Sequence, residues 1–482
     1  MQRSTSAIIG MFAFMTAFPV TVPVNAQTDF STFSRAVHAA MGTTNISRLE
    51  MLATGWEACM GQPWAIDAGW ARWELTDYRR VFDYSNGTSM QSAMRRAGLD
   101  EGRLGGCGAQ PGAAPTAQRS NLNPQSPWAS QLALWLTPQG FLSLAADETV
   151  QSSQSENGWN VSFTTEQEGV TYPFTGRYSD AYELLHISTR LDDTVFGDML
   201  VEAEFSGYRD YNGVSFPASV EIRQGGFGVL NLSVTDLVPD TAAASEPEPA
   251  PARGPGGGAA GGQSEALTEV APGVYVSNGA YQGVIVDTDA GIVVIDGLQN
   301  DARSRELIAQ ARQAIPDKPF AWVISTHNHF DHAAGIRAFM QAGATLITHE
   351  SNAAFFRAAL ASPRTLNPEE AAQVEVRVMG VGEQFTLPDS RNSVALYKLN
   401  GSSHADDMLI AWLPGMKTIV EADLLQPWIN PVFGGGEHPF LVYLADELDR
   451  LGLDYERFIP VHRPPQPPFM TREDLLSEIG RL

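Results

Sequence analysis

The chain has 482 residues, too many for one ordinary domain, so two or three domains are expected. Hydrophobic residues make up 43% of it, which is enough for sizeable cores. Its 55 acidic and 31 basic residues give a formal net charge of −24, which argues against a nucleic-acid partner because phosphates bind basic surfaces.

Residues 1–26 have the features of a secretory signal. Arg3 supplies the positive start, Ala7 to Phe18 is apolar, and Val24-Asn25-Ala26 ends in the small-residue pattern that signal peptidase accepts. The apolar run is too short to span a membrane comfortably, and no later stretch reaches that length. The sequence therefore predicts a mature chain without a membrane span that begins near Gln27 and is exported, in a bacterium to the periplasm. An uncleaved N-terminal anchor is the alternative.

The chain has two cysteines, Cys59 and Cys107. In an oxidising compartment an isolated pair often forms a disulfide, and we predict one here. Two free buried thiols are the alternative. Both cysteines lie in the N-terminal half, so we do not expect a thiolate ligand to a metal in the C-terminal half.

From about residue 47 to 238 the pattern is mostly that of strands, which predicts a mostly antiparallel β (α+β) domain at residues 27–238. Apolar and polar residues alternate in Trp159 to Thr165 and in Met199 to Phe205. The stretch Tyr208 to Pro217 predicts a hairpin, with Asn212-Gly213 as its turn. Short helices are expected at residues 28–41 and 127–136.

Residues 150–238 resemble the curved antiparallel sheets of periplasmic lipoprotein carriers, through the hairpin and the strand that follows it. This resemblance implies a module that binds a lipid, a peptide or a protein partner. A packing domain that positions the C-terminal half is an equal alternative.

Residues 239–264 are predicted to be a linker. Glu246 to Pro251 alternates proline with other residues and should be stiff and extended, whereas Gly256 to Gly262 should be flexible. Such a composition cannot bury enough apolar surface to form a core. The domain boundary therefore falls here, with a second domain at residues 265–482.

In this second domain strands alternate with helices, which predicts an α/β fold with sheets covered by helices. The predicted elements are strands at 273–276, 283–287, 292–295 and 321–325, a helix at 303–314, a helix at 333–342, and further strands at 345–347, 397–400, 408–413 and 418–420.

Four potential metal ligands follow the strand at 321–325, in the sequence His327-Asn328-His329-Phe330-Asp331-His332. His327 and His329 are two residues apart, so in an extended turn their side chains leave on the same side and can reach one ion. Asp331 and His332 face a neighbouring position, which suggests a second ion. Imidazole and carboxylate ligands suit zinc. The alternative is that Asp331 merely caps the following helix.

This stretch, with Val274-Tyr275-Val276 and the strand Gly291 to Gly297, resembles the signature of the metallo-β-lactamase-fold superfamily of metallohydrolases, which includes glyoxalase II. The resemblance covers residues 265–482. It implies an αββα sandwich with metals at one edge of its two sheets.

The resemblance also implies the remaining ligands. His404 would complete a three-histidine site, and Asp423 matches the bridging carboxylate of the glyoxalase-II-like binuclear branch. In some lactam-cleaving relatives, including the Cys-dependent β-lactamases, a Cys or Ser takes this place. His462 would join the second site, although Val461 and Arg463 stand where the family usually has glycine. The implied metal ligands are His327, His329, Asp331, His332, His404, Asp423 and His462.

Two residues are candidate substrate contacts. Arg463, beside a metal ligand, could contact an anionic group. His438 lies in the glycine-rich stretch Gly434 to Pro439, which could form a loop near a substrate.

Two zinc ions, with iron or a mixed pair possible, would lower the pKa of a bound water from about 16 toward 7 and polarise a carbonyl. Asp331 is the candidate catalytic residue, orienting the hydroxide and passing a proton to the leaving group. We therefore expect a hydrolase of an ester, thioester, lactone or amide bond in a small molecule. The alternatives are a mononuclear-iron sulfur dioxygenase-type oxidoreductase and a periplasmic binding or carrier protein with a structural metal site.

Overall fold

The computed structural model describes residues 29–97, 114–239, 266–367, 374–387, 391–427, 439–465 and 467–482. The predicted signal sequence, the predicted linker beyond residue 239, Cys107 and His438 lie outside the described residues. Within the described ranges, no helix is both long and apolar enough to cross a membrane.

An antiparallel sheet dominates the N-terminal half, and within the described residues it has eleven strands in the order β4-β3-β2-β1-β13-β12-β9-β8-β7-β6-β5. The strands of this half are β1 (Arg48–Cys59), β2 (Ala71–Asp83), β3 (Thr88–Ala97), β4 (Thr116–Leu122), β5 (Gln151–Ser155), β6 (Gly158–Gln167), β7 (Val170–Tyr178), β8 (Leu184–Asp193), β9 (Gly197–Ser206), β10 (Arg209–Tyr211), β11 (Val214–Phe216), β12 (Ser219–Gln224) and β13 (Phe227–Pro239). The first strand, β1, pairs with the last, β13, so that Leu49 lies opposite Pro239. The prediction of a mostly antiparallel domain is confirmed.

The predicted hairpin is also confirmed, as the pair β10 and β11. Its turn residues Asn212 and Gly213 have φ angles of 54° and 87°. A two-residue hairpin turn of this kind needs the left-handed region at both positions, which Asn-Gly adopts readily.

Three helices pack against this sheet: α1 (Phe30–Met41), α2 (Trp128–Trp135) and α3 (Pro138–Ala145). Helix α1 buries Phe33, Val37 and Met41, which recur at helical spacing and therefore share one face. The ring of Phe33 lies 5.1 Å from that of Tyr178 on β7, edge to face. These apolar contacts hold the helices and the sheet in one core.

The C-terminal half consists of two sheets that pack face to face. The first contains β14 (Leu267–Ala271), β15 (Val274–Ser277), β16 (Val284–Thr288), β17 (Gly291–Ile295), β18 (Phe320–Ile324), β19 (Thr345–His349) and β20 (Val378–Val381). The second contains β21 (Gln384–Thr386), β22 (Ala395–Lys398), β23 (Leu409–Leu413), β24 (Thr418–Glu421), β25 (Arg457–Pro460) and β26 (Met470–Thr471). Their facing sides share one apolar core.

Helices cover the outer face of each sheet. They are α4 (Asp301–Ala314), α5 (Phe330–Ala333), α6 (Ile336–Gln341) and α7 (Ala353–Ala361) on the first sheet, and α8 (Pro439–Leu451) and α9 (Arg472–Glu478) on the second. On β17, Val293 points toward the other sheet and Val294 toward the helices, so both faces of the strand are buried. This arrangement confirms the predicted αββα sandwich.

The single helix predicted at residues 333–342 was wrong, because the chain forms α5 and α6 with Gly335 between them. A side chain at Gly335 would come within 2.0 Å of the Ser304 hydroxyl and 2.1 Å of the Gly297 carbonyl oxygen. The backbone of Gly297 and the start of α4 therefore press against this point. That contact comes from distant sequence and interrupts the helix.

The two halves are joined by polar contacts between the β8–β9 hairpin and residues 363–366. The carboxylate of Asp198 accepts hydrogen bonds from the backbone N–H groups of Thr365 and Leu366, both at 3.0 Å, and from the Thr365 hydroxyl at 2.6 Å. Arg364 is buried between Asp192 and Asp301. Paired, hydrogen-bonded charges of this kind fix the relative orientation of the surfaces that carry them.

Candidate metal centre

Seven side chains that could bind metal ions meet at one edge of the two sheets of the C-terminal half. Each comes from a segment that follows a strand. The segment after β18 supplies His327 and His329 in a loop and Asp331 and His332 in α5, and the loops after β22, β24 and β25 supply His404, Asp423 and His462. The structure thus brings together every metal ligand that the sequence predicts.

The first group contains His327, His329, His404 and Asp423, whose ligand atoms all lie within 4.8 Å of one another. The Nε2 atoms of His327 and His404 are 2.9 Å and 3.2 Å from Oδ2 of Asp423. The three rings are buried. Three imidazoles facing one point match a catalytic zinc site, which keeps a further position for water or substrate.

The second group contains Asp331, His332 and His462. Nε2 of His332 is 2.9 Å from Oδ2 of Asp423, and Nε2 of His462 is 2.5 Å from Oδ1 of Asp423. Asp423 therefore contacts both groups, as a carboxylate that bridges two cations must. Its backbone has a φ of 67°, in the left-handed region that non-glycine residues rarely adopt and that often marks functional sites.

Several buried atoms facing this centre make no hydrogen bond of suitable geometry with the described residues, although four of the nitrogens lie 2.5–3.2 Å from Asp423. They are Nε2 of His327, His332, His404 and His462, Nδ1 of His329 and Oδ2 of Asp423. Buried polar atoms in proteins are nearly always satisfied, so a cluster of unsatisfied ones needs an explanation. Divalent cations would satisfy all of them, and the donor set of imidazole nitrogens and carboxylate oxygens fits zinc.

Asp296 orients two of the histidines from behind. Its Oδ2 lies 2.9 Å from Nδ1 of His332 and accepts from the Thr326 hydroxyl at 3.0 Å, and its Oδ1 accepts from the Thr326 N–H at 2.8 Å. The same Thr326 hydroxyl lies 3.0 Å from Nδ1 of His327. Such partners fix the ring orientation and tautomer of metal-binding histidines, leaving Nε2 toward the centre.

The protonation states of His327 and His329 also suit a cation. Burial lowers the pKa of both His327 and His329 from the ordinary value of 6.5, so both rings are neutral, which is the form that binds metal. Burial alone would raise the pKa of Asp423, but the surrounding imidazoles, with His332 the strongest influence, hold that pKa well below 3.8. The centre therefore contains a buried carboxylate anion at its middle.

Three further residues around Asp331 and His332 were not predicted from the sequence. Asp296 could have been found, since it is an acidic residue at the end of a fully apolar strand. Tyr281 has no such signal, yet its hydroxyl donates to Oδ2 of Asp331 at 3.2 Å. Gln62, in the N-terminal half, donates to the other oxygen of Asp331 at 2.6 Å.

The structure places Arg463 at the end of β15. Its Nη1 donates to the Ser277 carbonyl and to Oδ1 of Asn278, both at 2.9 Å. Its contact with a substrate stays a prediction. Val461 and Arg463 both have negative φ angles, so neither needs the glycine that the family usually has there.

Cys59 is disulfide-bonded in the structure. Cys107 and the second candidate substrate contact, His438, lie outside the described residues.

Asp407 is a buried carboxyl group in the same loop as His404, and we expect it to make the stability of the protein depend on pH. Burial raises its pKa to about 7 from the ordinary 3.8, so the folded protein holds this proton more tightly than the unfolded chain. This contribution to stability is complete below pH 3.8 and is lost as the pH rises to about 7. Asp407→Asn stays uncharged and can still accept the hydrogen bond that Asn352 donates. We expect the variant to gain stability over the parent across that range, by up to about 1.4 kcal/mol per pH unit.

Urea unfolding of both chelator-treated proteins at several pH values measures this difference. A difference that does not change with pH would contradict the prediction.

The C-terminal half is similar to known proteins. Residues 279–462, which contain all seven ligands, match the family model described as the metallo-beta-lactamase superfamily. The 2,4-dinitroanisole O-demethylase subunit alpha of Nocardioides sp. (strain JS1661) is 21% identical over 194 residues, 39% of this chain and 54% of that protein. The chain thus matches about half the length of this curated relative.

Solved structures are similar over the same half. A metallo-beta-lactamase from Pontibacter korlensis is 18% identical, with a TM-score of 0.34, covering 45% of this chain and 97% of that one. A stereoselective inverting sec-alkylsulfatase from Pseudomonas sp. is also 18% identical, with a TM-score of 0.32, covering 45% of this chain and 40% of that one.

Proposed function

We propose that this chain, whose residues 279–462 form a domain of the metallo-β-lactamase superfamily, is a metal-dependent hydrolase of a small-molecule substrate. One observation carries the proposal: two adjoining groups of ligands share the carboxylate of Asp423. A structural zinc site is closed by four protein ligands, whereas seven ligands for two ions leave open positions. Open positions are what a reacting water and a substrate need.

The ligand chemistry favours two zinc ions. Bound there, such cations would lower the pKa of a water molecule and stabilise the negative charge that develops on a substrate carbonyl. His327, His329 and His404 would hold the first ion, and Asp331, His332 and His462 the second, with Asp423 between them. Asp296 and Thr326 keep the rings of His332 and His327 turned toward these positions.

Asp331 is suited to move a proton. Its side chain is 25% exposed, whereas the side chain of His332 is fully buried. Burial raises the pKa of Tyr281, so the tyrosine stays protonated and donates to Asp331. Held in this way at the solvent side of the centre, Asp331 can accept a proton from the attacking water and pass it to the leaving group.

The bond cleaved is an ester, thioester, lactone or amide, since each passes through an oxyanion that paired cations stabilise. The signal-like residues 1–26 support export of the protein, in a bacterium to the periplasm.

The test is metal analysis of the purified chain together with hydrolysis of nitrocefin, a thioester and a lactone. We expect about two zinc ions per chain, loss of hydrolysis in a chelator and recovery on adding zinc. Undiminished hydrolysis after complete metal removal would contradict the proposal. One iron per chain with oxygen consumption would instead favour the oxidoreductase alternative.

A further inference from the structure

Residues 61–64, in the connection between β1 and β2, extend from the N-terminal half to the metal centre. We call them the 61–64 loop. The Gly61 carbonyl accepts from the Phe330 N–H at 2.9 Å, and the Trp64 carbonyl accepts from the Asp406 N–H at 2.8 Å. The Trp64 ring donates to the Ser402 carbonyl at 2.9 Å. The loop therefore joins two ligand-bearing loops of the other half.

Gly61 permits this close approach. It has a φ of +79°, and a side chain there would come 2.6–2.8 Å from Phe330, including the Cβ atom of that residue. Only glycine combines this backbone conformation with so little space. The contact is thus a specific fit between the two halves.

Within the loop, Gln62 holds the carboxylate of Asp331. Its Nε2 donates to Oδ1 at 2.6 Å, while Oδ2 lies 3.7 Å from Nε2 of His332. A carboxylate is planar, so fixing Oδ1 also fixes the direction of Oδ2. Gln62 therefore turns Oδ2 toward the second group of ligands.

The next residue in the loop acts on the first group. Nε2 of His329 lies 3.1 Å from the Pro63 carbonyl oxygen. A carbonyl can only accept a hydrogen bond, so Nε2 must carry the proton. Nδ1 of the same neutral ring then has a free electron pair, and it is this buried atom that lacks a hydrogen-bond partner among the described residues.

We infer that the 61–64 loop completes the metal centre from the N-terminal half. Gln62 is a positioning residue for Asp331, and the Pro63 carbonyl sets the tautomer of His329. Gln62 orients Asp331 and Pro63 orients His329, in the same way that Asp296 orients His332 and Thr326 orients His327. The inference rests on the proposed function only in that the centre binds metal, and it holds for any substrate.

The first experiment titrates zinc into metal-free, full-length Gln62→Leu in competition with a coloured chelator. Leucine keeps most of the volume but cannot donate, so the second zinc ion should bind about 10–100-fold more weakly, while the first binds as in the parent. Gln62→Asn, which is too short to reach Oδ1, should show the same effect. Gln154→Leu, at an exposed position of β5, is the matched control and should bind both ions normally.

If Gln62 only packs the two halves together, its variants would melt at lower temperature yet bind both zinc ions like the parent. That result, or a parent chain that binds no zinc, would overturn the inference.

A second experiment uses the unmodified protein and so does not depend on a variant that folds. In ¹⁵N-histidine-labelled, zinc-loaded protein, the assigned NMR signals of His329 should show a proton on Nε2 and none on Nδ1. A proton on Nδ1 would overturn the assigned role of Pro63. If zinc binds as expected but the substrate panel is not hydrolysed, the proposed function fails and this inference stands.

Discussion

Asp423→Asn is expected to lower kcat/KM for hydrolysis by about 10³-fold, because removing several kcal/mol of stabilisation by paired cations has that effect on rate. The asparagine side chain has nearly the same size, so the packing around it is retained. Asparagine lacks the negative charge and keeps only one of the two oxygens, of which Oδ2 contacts His332 and Oδ1 contacts His462. We expect zinc content to fall from about two ions per chain to about one.

Kinetics on the most active substrate of the panel, with zinc content measured on the same samples, checks this result. Asp147→Asn makes the same chemical change at an exposed position and should behave like the parent. Normal zinc content and normal hydrolysis in Asp423→Asn would show that this carboxylate does not bridge two ions.

His329→Ala is the second large expected effect. It removes one of three rings in the first group and leaves the Pro63 carbonyl without its donor. We expect loss of zinc from the first position and a fall in hydrolysis of about 10³-fold or more. His186→Ala, on the N-terminal sheet, is the matched control, since that ring contacts Glu202 and no metal ligand.

The measurement for His329→Ala is the same pairing of metal analysis and kinetics. Full hydrolysis by a variant without bound metal would contradict the whole mechanism.

The metal ligands could be predicted because most of the information is local. His327, His329, Asp331 and His332 lie within six residues, directly after an apolar strand. The unbroken apolar run of β17 likewise indicates a strand that is buried on both faces. The αββα arrangement itself needed the family resemblance, since periodicity alone predicts only α/β.

Contacts between distant parts of the chain could not be predicted. Gln62 lies 269 residues from Asp331, and no pattern near Gln62 marks it as a site residue. The break at Gly335 likewise depends on the approach of Ser304 and Gly297. In both cases tertiary packing between distant residues determines the local structure, and the sequence around Gln62 or Gly335 contains no signal of that packing.

The pairing of β1 with β13 has a consequence for the order of folding. Leu49 and Pro239 lie at opposite ends of the N-terminal half, so β1 can pair with β2 early but cannot pair with β13 until nearly all of that half has been synthesised. Sheets that pair strands so distant in sequence fold slowly, because chain entropy is lost in closing the long loop before the contacts form. The 61–64 loop follows β1, so it should reach its final position late. Zinc that binds before then would meet a centre in which Asp331 and His329 are not yet oriented.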